Sequence, residues 1–261
     1  MKLPVVVIGI GEIGSVVARG LLRCGHPVFP VTRRQPLAQA AQEYPLAEAV
    51  VLAVAEADLQ NTLLDMPGVW RSRLVLLQNE LLPRDWQRHE LSNPTIASIW
   101  FEKKVGQDVK VLLPTPVHGP HAALMTNVFE ALKIPARNID DTSEMLYELV
   151  RKNVYILTSN IAGLMTGGTV STLWQQHRAF AIDVANDVIS LQEKLAAHAF
   201  PRERLIAGMV EGFDGDPEHK CMGRTAPGRL QRALALAQEF SLTVPTLRDI
   251  ATRLEKALSA K

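Results

Sequence analysis

The stretch Val5-Val6-Val7-Ile8-Gly9-Ile10-Gly11-Glu12-Ile13-Gly14-Ser15-Val16 decides the fold of this chain. A buried strand is predicted to run into a glycine turn, and a helix starts directly after it, with the spacing G-x-G-x-x-G at the junction. Gly9 permits the tight turn, Gly11 lets a pyrophosphate approach bare backbone, and Gly14 allows close packing of helix on strand. The helix N-terminus presents N–H groups and a positive dipole to phosphates. The pattern predicts a dinucleotide site formed by Gly9, Gly11, Glu12, Ile13 and Gly14, and the alternative is that the glycines serve packing alone.

The end of the second predicted strand indicates which dinucleotide binds. Residues 27–31 form that strand, and Thr32-Arg33-Arg34 follow it. An acidic residue here would accept hydrogen bonds from the ribose 2′-OH of NAD, whereas guanidinium groups suit a 2′-phosphate. We therefore predict NADP(H), held by Thr32, Arg33 and Arg34. The alternative is that the two arginines are solvated loop residues.

The bulk properties exclude several classes of protein. A chain of 261 residues with 47% hydrophobic residues is long and apolar enough for a full core, which excludes wholesale disorder. A net charge of +1 gives no electrostatic reason to expect a nucleic-acid or membrane-surface partner. No segment approaches 18 uncharged apolar residues, so no membrane span is predicted.

The two cysteines indicate a reducing compartment. Cys24 and Cys221 lie far apart in the chain, without a CxxC pattern or a neighbouring Cys/His cluster. They are interpreted as reduced thiols of a cytoplasmic protein, and no metal site is predicted. The apolar run at the N-terminus is too short for the core of a signal peptide and is already the first strand.

The chain is predicted to change from an α/β domain to an all-α domain near residue 141. Residues 1–141 form a Rossmann-type α/β domain, with further buried strands at residues 49–55 and 73–77. The interval of residues 35–48 is too short for both a helix and a strand, so one element of the usual unit is expected to be missing. Residues 142–261 form an all-α domain for substrate binding and dimerisation.

The helical part begins with a capping signal. Glu144 follows Asp141 by three residues, which is the spacing of a capping box. Apolar residues then keep helical spacing as far as Gly167-Gly168, an evident stop. Further helices are predicted over residues 171–199, 228–240 and 245–258.

The first of these helices carries two candidates for chemistry. Lys152 and Asn160 are eight residues apart and share one helical stripe with Ile156 between them. A lysine whose pKa is lowered by partial burial can act as a general acid towards a carbonyl, and an asparagine can hold a substrate hydroxyl or carboxylate. The alternative is a solvated lysine and an asparagine that is bonded to a neighbouring loop.

Four segments together resemble the ketopantoate reductase family. They are Gly9-Ile10-Gly11-Glu12-Ile13-Gly14, then Leu77-Gln78-Asn79, then Leu149-Val150-Arg151-Lys152-Asn153 leading to Asn160, and finally the run from Ala233 to Thr246 with its Val244-Pro245. The resemblance covers essentially the whole chain in the same order. It implies an NADPH-binding Rossmann domain joined to a helical domain, and reduction of the branched 2-oxo acid ketopantoate to pantoate on the route to pantothenate.

The resemblance also implies roles for single residues. Lys152 would be the general acid, Asn160 a substrate ligand, and Asn79 a neighbour of the nicotinamide ribose. The sequence departs from the family at four positions where the family has a lysine, a glycine, an asparagine and an acidic residue. These positions are Ala55, Glu80, Ile156 and Ala226.

The departures leave three hypotheses open. The leading one is an NADPH-dependent reductase of a small 2-oxo acid, which is either ketopantoate or another acid of this class. The second is an NADP(H)-binding protein without turnover, such as a sensor or regulatory module. The third is a dehydrogenase of a different hydroxy or imino acid. A homodimer is possible through the apolar helices.

Overall fold

The computed structural model describes residues 2–259, without the side chain of Leu258. The chain divides into two compact units, Met1–Leu149 and Val150–Lys261. The division falls inside the long helix α6 (Thr142–Thr166), and the predicted domain boundary at residues 141 and 142 is the start of that helix. None of the helices in the described part of the chain is long and apolar enough to cross a membrane.

The first unit is an α/β layer structure, as the sequence predicts. Its strands are β1 (Val5–Ile8), β2 (Val28–Val31), β3 (Ala49–Leu52), β4 (Leu74–Leu76), β5 (Thr95–Ala97), β6 (Phe101–Glu102), β7 (Lys110–Val111), β8 (Thr115–His118) and β9 (Ala136–Asn138). Its helices are α1 (Glu12–Arg23), α2 (Leu37–Glu43), α3 (Leu59–Leu64), α4 (Pro83–Gln87) and α5 (Ala122–Glu130). Two 3-10 turns, Glu56–Asp58 and Gly68–Arg73, precede α3 and β4.

Seven strands form one sheet in the order β2-β1-β3-β4-β5-β8-β9. All neighbours are parallel except β5 and β8, and β6 pairs with β7 as a separate hairpin. Val5 of β1 lies between Val28 of β2 and Ala49 of β3, which fixes the register at the centre of the unit. Every residue of β1 and β3 is buried, because helices cover both faces of a parallel sheet.

The strand order confirms that one element is missing. In the usual dinucleotide fold, the strand that follows β2 would pair with the outer side of β2. Here α2 leads instead to β3, which pairs with β1, and β2 is the edge strand. The interval of residues 35–48 therefore keeps its helix and lacks the outer strand.

The second part of the chain is helical. After α6 come α7 (Val170–Gln176), α8 (Arg178–Ala196), α9 (Arg202–Gly215), α10 (Ala226–Glu239) and α11 (Pro245–Ser259). The helix predicted over residues 171–199 is wrong in detail, because it is two helices that meet at His177. The sequence analysis missed α9, since Gly208 and Gly212 weaken its helical signal.

The start of α6 follows only half of the predicted capping pattern. The Asp141 carboxylate accepts a hydrogen bond from the backbone N–H of Ser143 at 2.9 Å. The Glu144 carboxylate pairs with the Arg137 guanidinium at 3.0 Å, and Arg137 also reaches Glu148 at 2.8 Å. These pairs fix the beginning of α6 to β9.

Candidate functional site

A cleft of about 1190 Å³ opens in the first unit at the carboxyl ends of three neighbouring strands. Residues that directly follow β1, β2 and β3 line it, together with the start of α2 and part of α3. The chain leaves β1 towards β2 on one side, and β3 lies on the other side of β1. Ligands of open α/β sheets bind at such a switch point, so the topology alone makes this cleft the candidate site.

The glycine turn has the geometry that its sequence predicts. Gly9 has a φ of +91°, and a Cβ on it would lie 2.7 Å from the carbonyl oxygen of Ala53. A Cβ on Gly14 would lie 2.0 Å from the carbonyl oxygen of Gly9. Gly11, the N-cap of α1, has open space on its Cβ side and lines the cleft. Gly9 and Gly14 are thus fixed by packing, while the lack of a side chain at Gly11 keeps the helix N-terminus accessible.

The acidic residue at the N-terminus of α1 is paired with a lysine. Glu12 is the first residue of α1, where a carboxylate favours the helix dipole but opposes a phosphate. The Lys103 ammonium lies 3.2 Å from the Glu12 carboxylate, and the Lys103 side chain is only 19% exposed. Lys103 comes from the segment after β6, so the hairpin brings a cation to the glycine turn.

The predicted phosphate-binding arginines lie at the rim of the cleft. Thr32, Arg33 and Arg34 are all exposed and line it. Arg33 donates a hydrogen bond to the Asp58 carboxylate at 2.9 Å, and Asp58 lines the same cleft. Within residues 2–259, Arg34 forms no ion pair or side-chain hydrogen bond. The two arginines therefore differ, since one is held by a carboxylate and the other is not.

The segment after β4 braces the end of β3. The side-chain amide of Gln78 donates to the carbonyl oxygens of Leu52 at 2.9 Å and Val54 at 3.3 Å. The Asn79 amide donates to the Glu56 carboxylate at 2.8 Å. Gln78 is thus a structural tie between two strand ends. Asn79, predicted beside the nicotinamide ribose, faces the acidic residue that follows Ala55.

In the second unit, residues 150–163 of α6 are buried without exception. Two of its polar side chains connect helices. Arg151 donates to the Gly208 carbonyl oxygen at 3.1 Å and pairs with Glu211 at 2.7 Å, which joins α6 to α9. The Asn153 amide donates to Gln192 at 2.8 Å, which joins α6 to α8. Arg151 and Asn153 therefore serve packing of the helices.

The chemical candidates lie on another stripe of α6. Lys152 is 6% exposed and Asn160 is 7% exposed, with the apolar side chain of Ile156 between them. The solvated-lysine alternative is wrong, because Lys152 is buried. The carbonyl oxygen of the Asn160 side chain accepts a 2.7 Å hydrogen bond from the Arg229 guanidinium of α10. The structure thus brings Asn160 to an arginine that the sequence analysis did not single out.

Solved structures of oxidoreductases match the chain over its whole length. A ketopantoate reductase of the PanE/ApbA family from Ralstonia eutropha is 16% identical, with a TM-score of 0.69 over 97% of each chain. The 2-dehydropantoate 2-reductase from Methylococcus capsulatus is 15% identical, with a TM-score of 0.68 over 99% of this chain and 98% of that one. The chain has the ketopantoate reductase fold.

A D-mandelate dehydrogenase solved with NADH also shares this ketopantoate reductase fold. It is 13% identical, with a TM-score of 0.65 over 99% of each chain. Neither a protein-family model nor a curated protein sequence matches the chain. The fold is therefore shared at a sequence identity too low to carry the activity with it.

Within the ketopantoate reductase fold, the four departures have different structural meanings. Glu80 keeps a φ of +60°, so the backbone there retains the left-handed conformation that a glycine adopts freely. Ala55 is exposed at the cleft, and Glu56 after it holds Asn79. Ile156 and Ala226 are buried and apolar. The four positions thus differ in burial and in side-chain chemistry, and Glu80 alone has a left-handed backbone.

Three further residues of the candidate site were missed by sequence reasoning. Asp58 and Lys103 meet their partners through contacts over 25 and 91 positions, which no local pattern predicts. Arg229 did leave a signal. The buried positions of α10 are Ala226, Arg229, Leu230, Ala233 and Ala237, so an arginine stands on an otherwise apolar face.

Proposed function

We propose that this protein is an NADPH-dependent reductase of a small 2-oxo acid, of the ketopantoate reductase type. The observation that carries the proposal is the cleft at the ends of β1, β2 and β3, where an open glycine turn faces two arginines. The fold supports the same class of reaction. When bound, NADPH supplies the hydride that reduces the substrate carbonyl.

The residues of the cleft fit an NADP(H) molecule. The N-terminus of α1 and the bare backbone at Gly11 suit the pyrophosphate, because a Cβ on Gly11 would meet nothing within 4 Å and the helix N-terminus favours an anion. Thr32, Arg33 and Arg34 would hold the 2′-phosphate at the rim, and Asn79 would lie beside the nicotinamide ribose. Glu12 and Ile13 would line the pyrophosphate.

Lys152 acts as the general acid in this proposal. When the C=O double bond of the substrate is reduced to a C–O single bond, its oxygen would take a proton from the Lys152 ammonium. The products are a 2-hydroxy acid, the oxidised cofactor and a neutral lysine, which regains its proton from solvent. The burial of Lys152 on the same stripe of α6 as Asn160 supports this role, because both side chains can then meet one substrate. Asn160 helps to hold the substrate.

The substrate class follows from the altered stripe on α6. Ile156 offers an apolar surface between Lys152 and Asn160, where the family has an asparagine. An apolar branch of the substrate fits there better than a hydroxyl group, because a buried hydroxyl without a partner is costly. On this ground, 2-oxo acids with a wholly apolar side chain are favoured over ketopantoate, the substrate that leads to pantoate in pantothenate biosynthesis, because ketopantoate carries a hydroxyl group.

One observation favours a second candidate function. Ile156 and Ala226 offer no polar group where the family has an asparagine and an acidic residue. An NADP(H)-binding protein of the same fold without turnover, acting as a sensor or regulatory module, would tolerate these losses. A dehydrogenase of a different hydroxy or imino acid would explain them by a change of substrate, and the D-mandelate dehydrogenase shows that the fold accommodates another acid.

We also propose that the protein is organised in two domains. Residues 1–141 would form the NADP(H)-binding domain and residues 142–261 the domain for substrate binding and dimerisation. A homodimer and a cytoplasmic location both remain predictions.

The test follows NADPH oxidation by absorbance with ketopantoate, pyruvate, 2-oxoisovalerate and phenylglyoxylate. We expect turnover of at least one of these acids by the wild type. Lys152→Ala should lose that turnover by at least about 100-fold with an unchanged affinity for NADPH. The exposed Lys256→Ala is the matched control. NADPH binding without any turnover would favour the non-catalytic function, and full activity in Lys152→Ala would remove the catalytic role of this lysine.

A further inference from the structure

In the part of the chain that the structure describes, four charged side chains line the cleft at the ends of β1, β2 and β3. They are the guanidinium groups of Arg33 and Arg34 and the carboxylates of Asp58 and Asp65, so their formal charges cancel. A phosphate dianion binds best where cations are in excess, because carboxylates repel it. The two arginines alone therefore do not decide whether the cleft takes the 2′-phosphate of NADPH or the 2′-hydroxyl of NADH.

Asp58 comes to the cleft from the opposite side of β1. It ends the 3-10 turn Glu56–Asp58 that follows β3, whereas Arg33 follows β2, and β1 lies between these two strands. Asp58 Oδ2 accepts a hydrogen bond from Arg33 Nη2 at 2.9 Å. The carboxylate thus lies beside a guanidinium that is predicted to meet the 2′-phosphate.

The Asp58 carboxylate is not used by its own helix. Asp58 is the N-cap of α3, where an aspartate side chain commonly accepts a hydrogen bond from the backbone of the first turn. Here the side chain makes no such bond, and Thr62 Oγ1 donates instead to the backbone carbonyl oxygen of Asp58 at 2.8 Å. An ionised carboxylate has two acceptor oxygens, so Asp58 can hold Arg33 with Oδ2 and accept from a ligand with Oδ1.

We propose that Asp58 sets the cofactor preference of the cleft and lets it bind NADH as well as NADPH. The inference rests on the proposed function, for which it names a specificity-determining residue. With NADH, Asp58 Oδ1 accepts a hydrogen bond from the ribose 2′-OH while Oδ2 keeps Arg33. In NAD sites an acidic residue at the end of the second strand serves this purpose, and here a carboxylate from the turn after β3 meets a residue of that strand end.

With NADPH, the same ion pair weakens the phosphate site. Arg34 is available to the 2′-phosphate, since it forms no ion pair or side-chain hydrogen bond with any described residue. Arg33 reaches the phosphate only when it leaves Asp58, which costs part of the binding free energy. This cost is small because the pair is exposed, with 90% of the Arg33 side chain and 45% of the Asp58 side chain open to solvent. The Kd values of the two cofactors should therefore lie within about tenfold of each other.

The experiment measures the Kd of NADPH and of NADH by calorimetry in the wild type and in Asp58→Asn, which removes the charge and keeps the size. NADPH should bind about fivefold more tightly to the variant, because Arg33 is released to the 2′-phosphate. NADH should bind about threefold more weakly, because a neutral acceptor replaces a charged one. The melting temperature should stay within about 2 °C of the wild type, since the Asp58 side chain does not cap α3.

Two further variants isolate the contact between Asp58 and Arg33. In an Arg33→Ala background, Asp58→Asn should no longer tighten NADPH binding, because the guanidinium that it releases is gone. Asp65→Asn is the charge-matched comparison, since Asp65 lines the same cleft at the end of α3 without an ion pair to Arg33 or Arg34 in the described structure. It should tighten NADPH binding by no more than about twofold and should not weaken NADH binding.

Four results would each overturn the proposal. The first is an equal effect of Asp58→Asn and Asp65→Asn on NADPH binding, which would mean that only the net charge of the cleft matters. The second is a gain in NADPH affinity that persists in the Arg33→Ala background. The third is NADH binding that Asp58→Asn does not weaken. The fourth is a wild-type Kd for NADH more than about 100-fold above that for NADPH.

The binding measurements also separate this inference from the proposed function. If the two Kd values and their changes are as expected but none of the 2-oxo acids is reduced, the reductase activity fails for them and the role of Asp58 stands. If an acid is reduced with NADPH and Asp58→Asn changes neither Kd, the reductase stands and the role of Asp58 fails. If neither dinucleotide binds, both are refuted.

Discussion

Gly14 packs so tightly on the carbonyl group of Gly9 that a Cβ on Gly14 would lie 2.0 Å from the Gly9 oxygen. The same turn leaves the Cβ side of Gly11 open. Two glycines three residues apart in one motif therefore differ, since Gly14 is required by the packing of the fold and Gly11 is not, and we propose that Gly11 serves the ligand.

Substitution of each glycine by alanine should separate these needs. Gly14→Ala forces backbone apart and should cost about 3 kcal/mol or more, which lowers the melting temperature by roughly 10 °C. Gly11→Ala should leave the melting temperature within about 2 °C and weaken NADPH binding by at least about tenfold, because the new methyl group occupies the space for the pyrophosphate. Calorimetry measures the affinity of each variant for NADPH, and thermal unfolding measures its melting temperature. Unchanged NADPH affinity in Gly11→Ala would contradict the role of the turn.

The two arginines at the rim should contribute unequally to cofactor choice. Arg34→Ala should weaken NADPH binding by about 10- to 100-fold and NADH binding by less than about threefold, since only NADPH carries the 2′-phosphate. Arg33→Ala should have the smaller effect, because Arg33 is already paired with Asp58 at 2.9 Å. Exposed Arg19→Ala serves as control. Equal losses for both cofactors would remove the phosphate-binding role.

Lys103 should offset the repulsion between Glu12 and the pyrophosphate. Lys103→Met should raise the Kd for NADPH by about five- to tenfold at low salt, whereas Glu12→Gln should lower it. Both effects should shrink at high salt, because ions screen exposed charges. Lys104→Met is the matched control, since that neighbour pairs with Glu102 at 3.0 Å. An equal change in the Lys104 variant would mean that only net charge matters.

The two thiols should differ in reactivity. Burial raises the pKa of Cys221 to about 11, so the thiol stays protonated and unreactive well above neutral pH. Cys24, half-buried at the end of α1, is accessible. Alkylation of the native protein near pH 8 should therefore modify Cys24 alone, and unfolding in urea should expose Cys221 as well. Mass spectrometry of the peptides identifies which cysteine is alkylated. Alkylation of Cys221 in the native protein would contradict the prediction, because it would show that the thiol is accessible to the reagent.

The end of α8 offers a gain in stability. Ala197 has a φ of 49° and a ψ of 36°, and His198 donates to the Glu193 carbonyl oxygen at 3.1 Å. This left-handed ending strains alanine, so Ala197→Gly should stabilise the protein by about 0.5 to 1 kcal/mol. Ala196→Gly, one residue earlier in right-handed helix, should destabilise it by a similar amount. Denaturant unfolding compares the two, and a loss in both variants would contradict the argument.

Features read along the chain were predictable where neighbours in sequence are neighbours in space. The strand, turn and helix around Gly9 and the start of α6 at Thr142 follow local spacing and propensity. The break at His177 was not predictable, because the apolar spacing continues through α7 and α8. The left-handed backbone at Glu80 does not follow from the residue itself, since glutamate rarely adopts that conformation.

The sequence by itself determined the α/β start with its glycine turn, the loss of one element within residues 35–48, and the helical second part. These features depend on periodicity, glycine positions and segment length, which are local properties. Tertiary structure alone decided that Asp58 holds Arg33, that Lys103 meets Glu12, and that Arg229 meets Asn160 across 69 positions. Such pairs form because packing brings elements that are distant in sequence together, which no local pattern predicts. Only the pair of Arg229 and Asn160 also satisfies a buried charge.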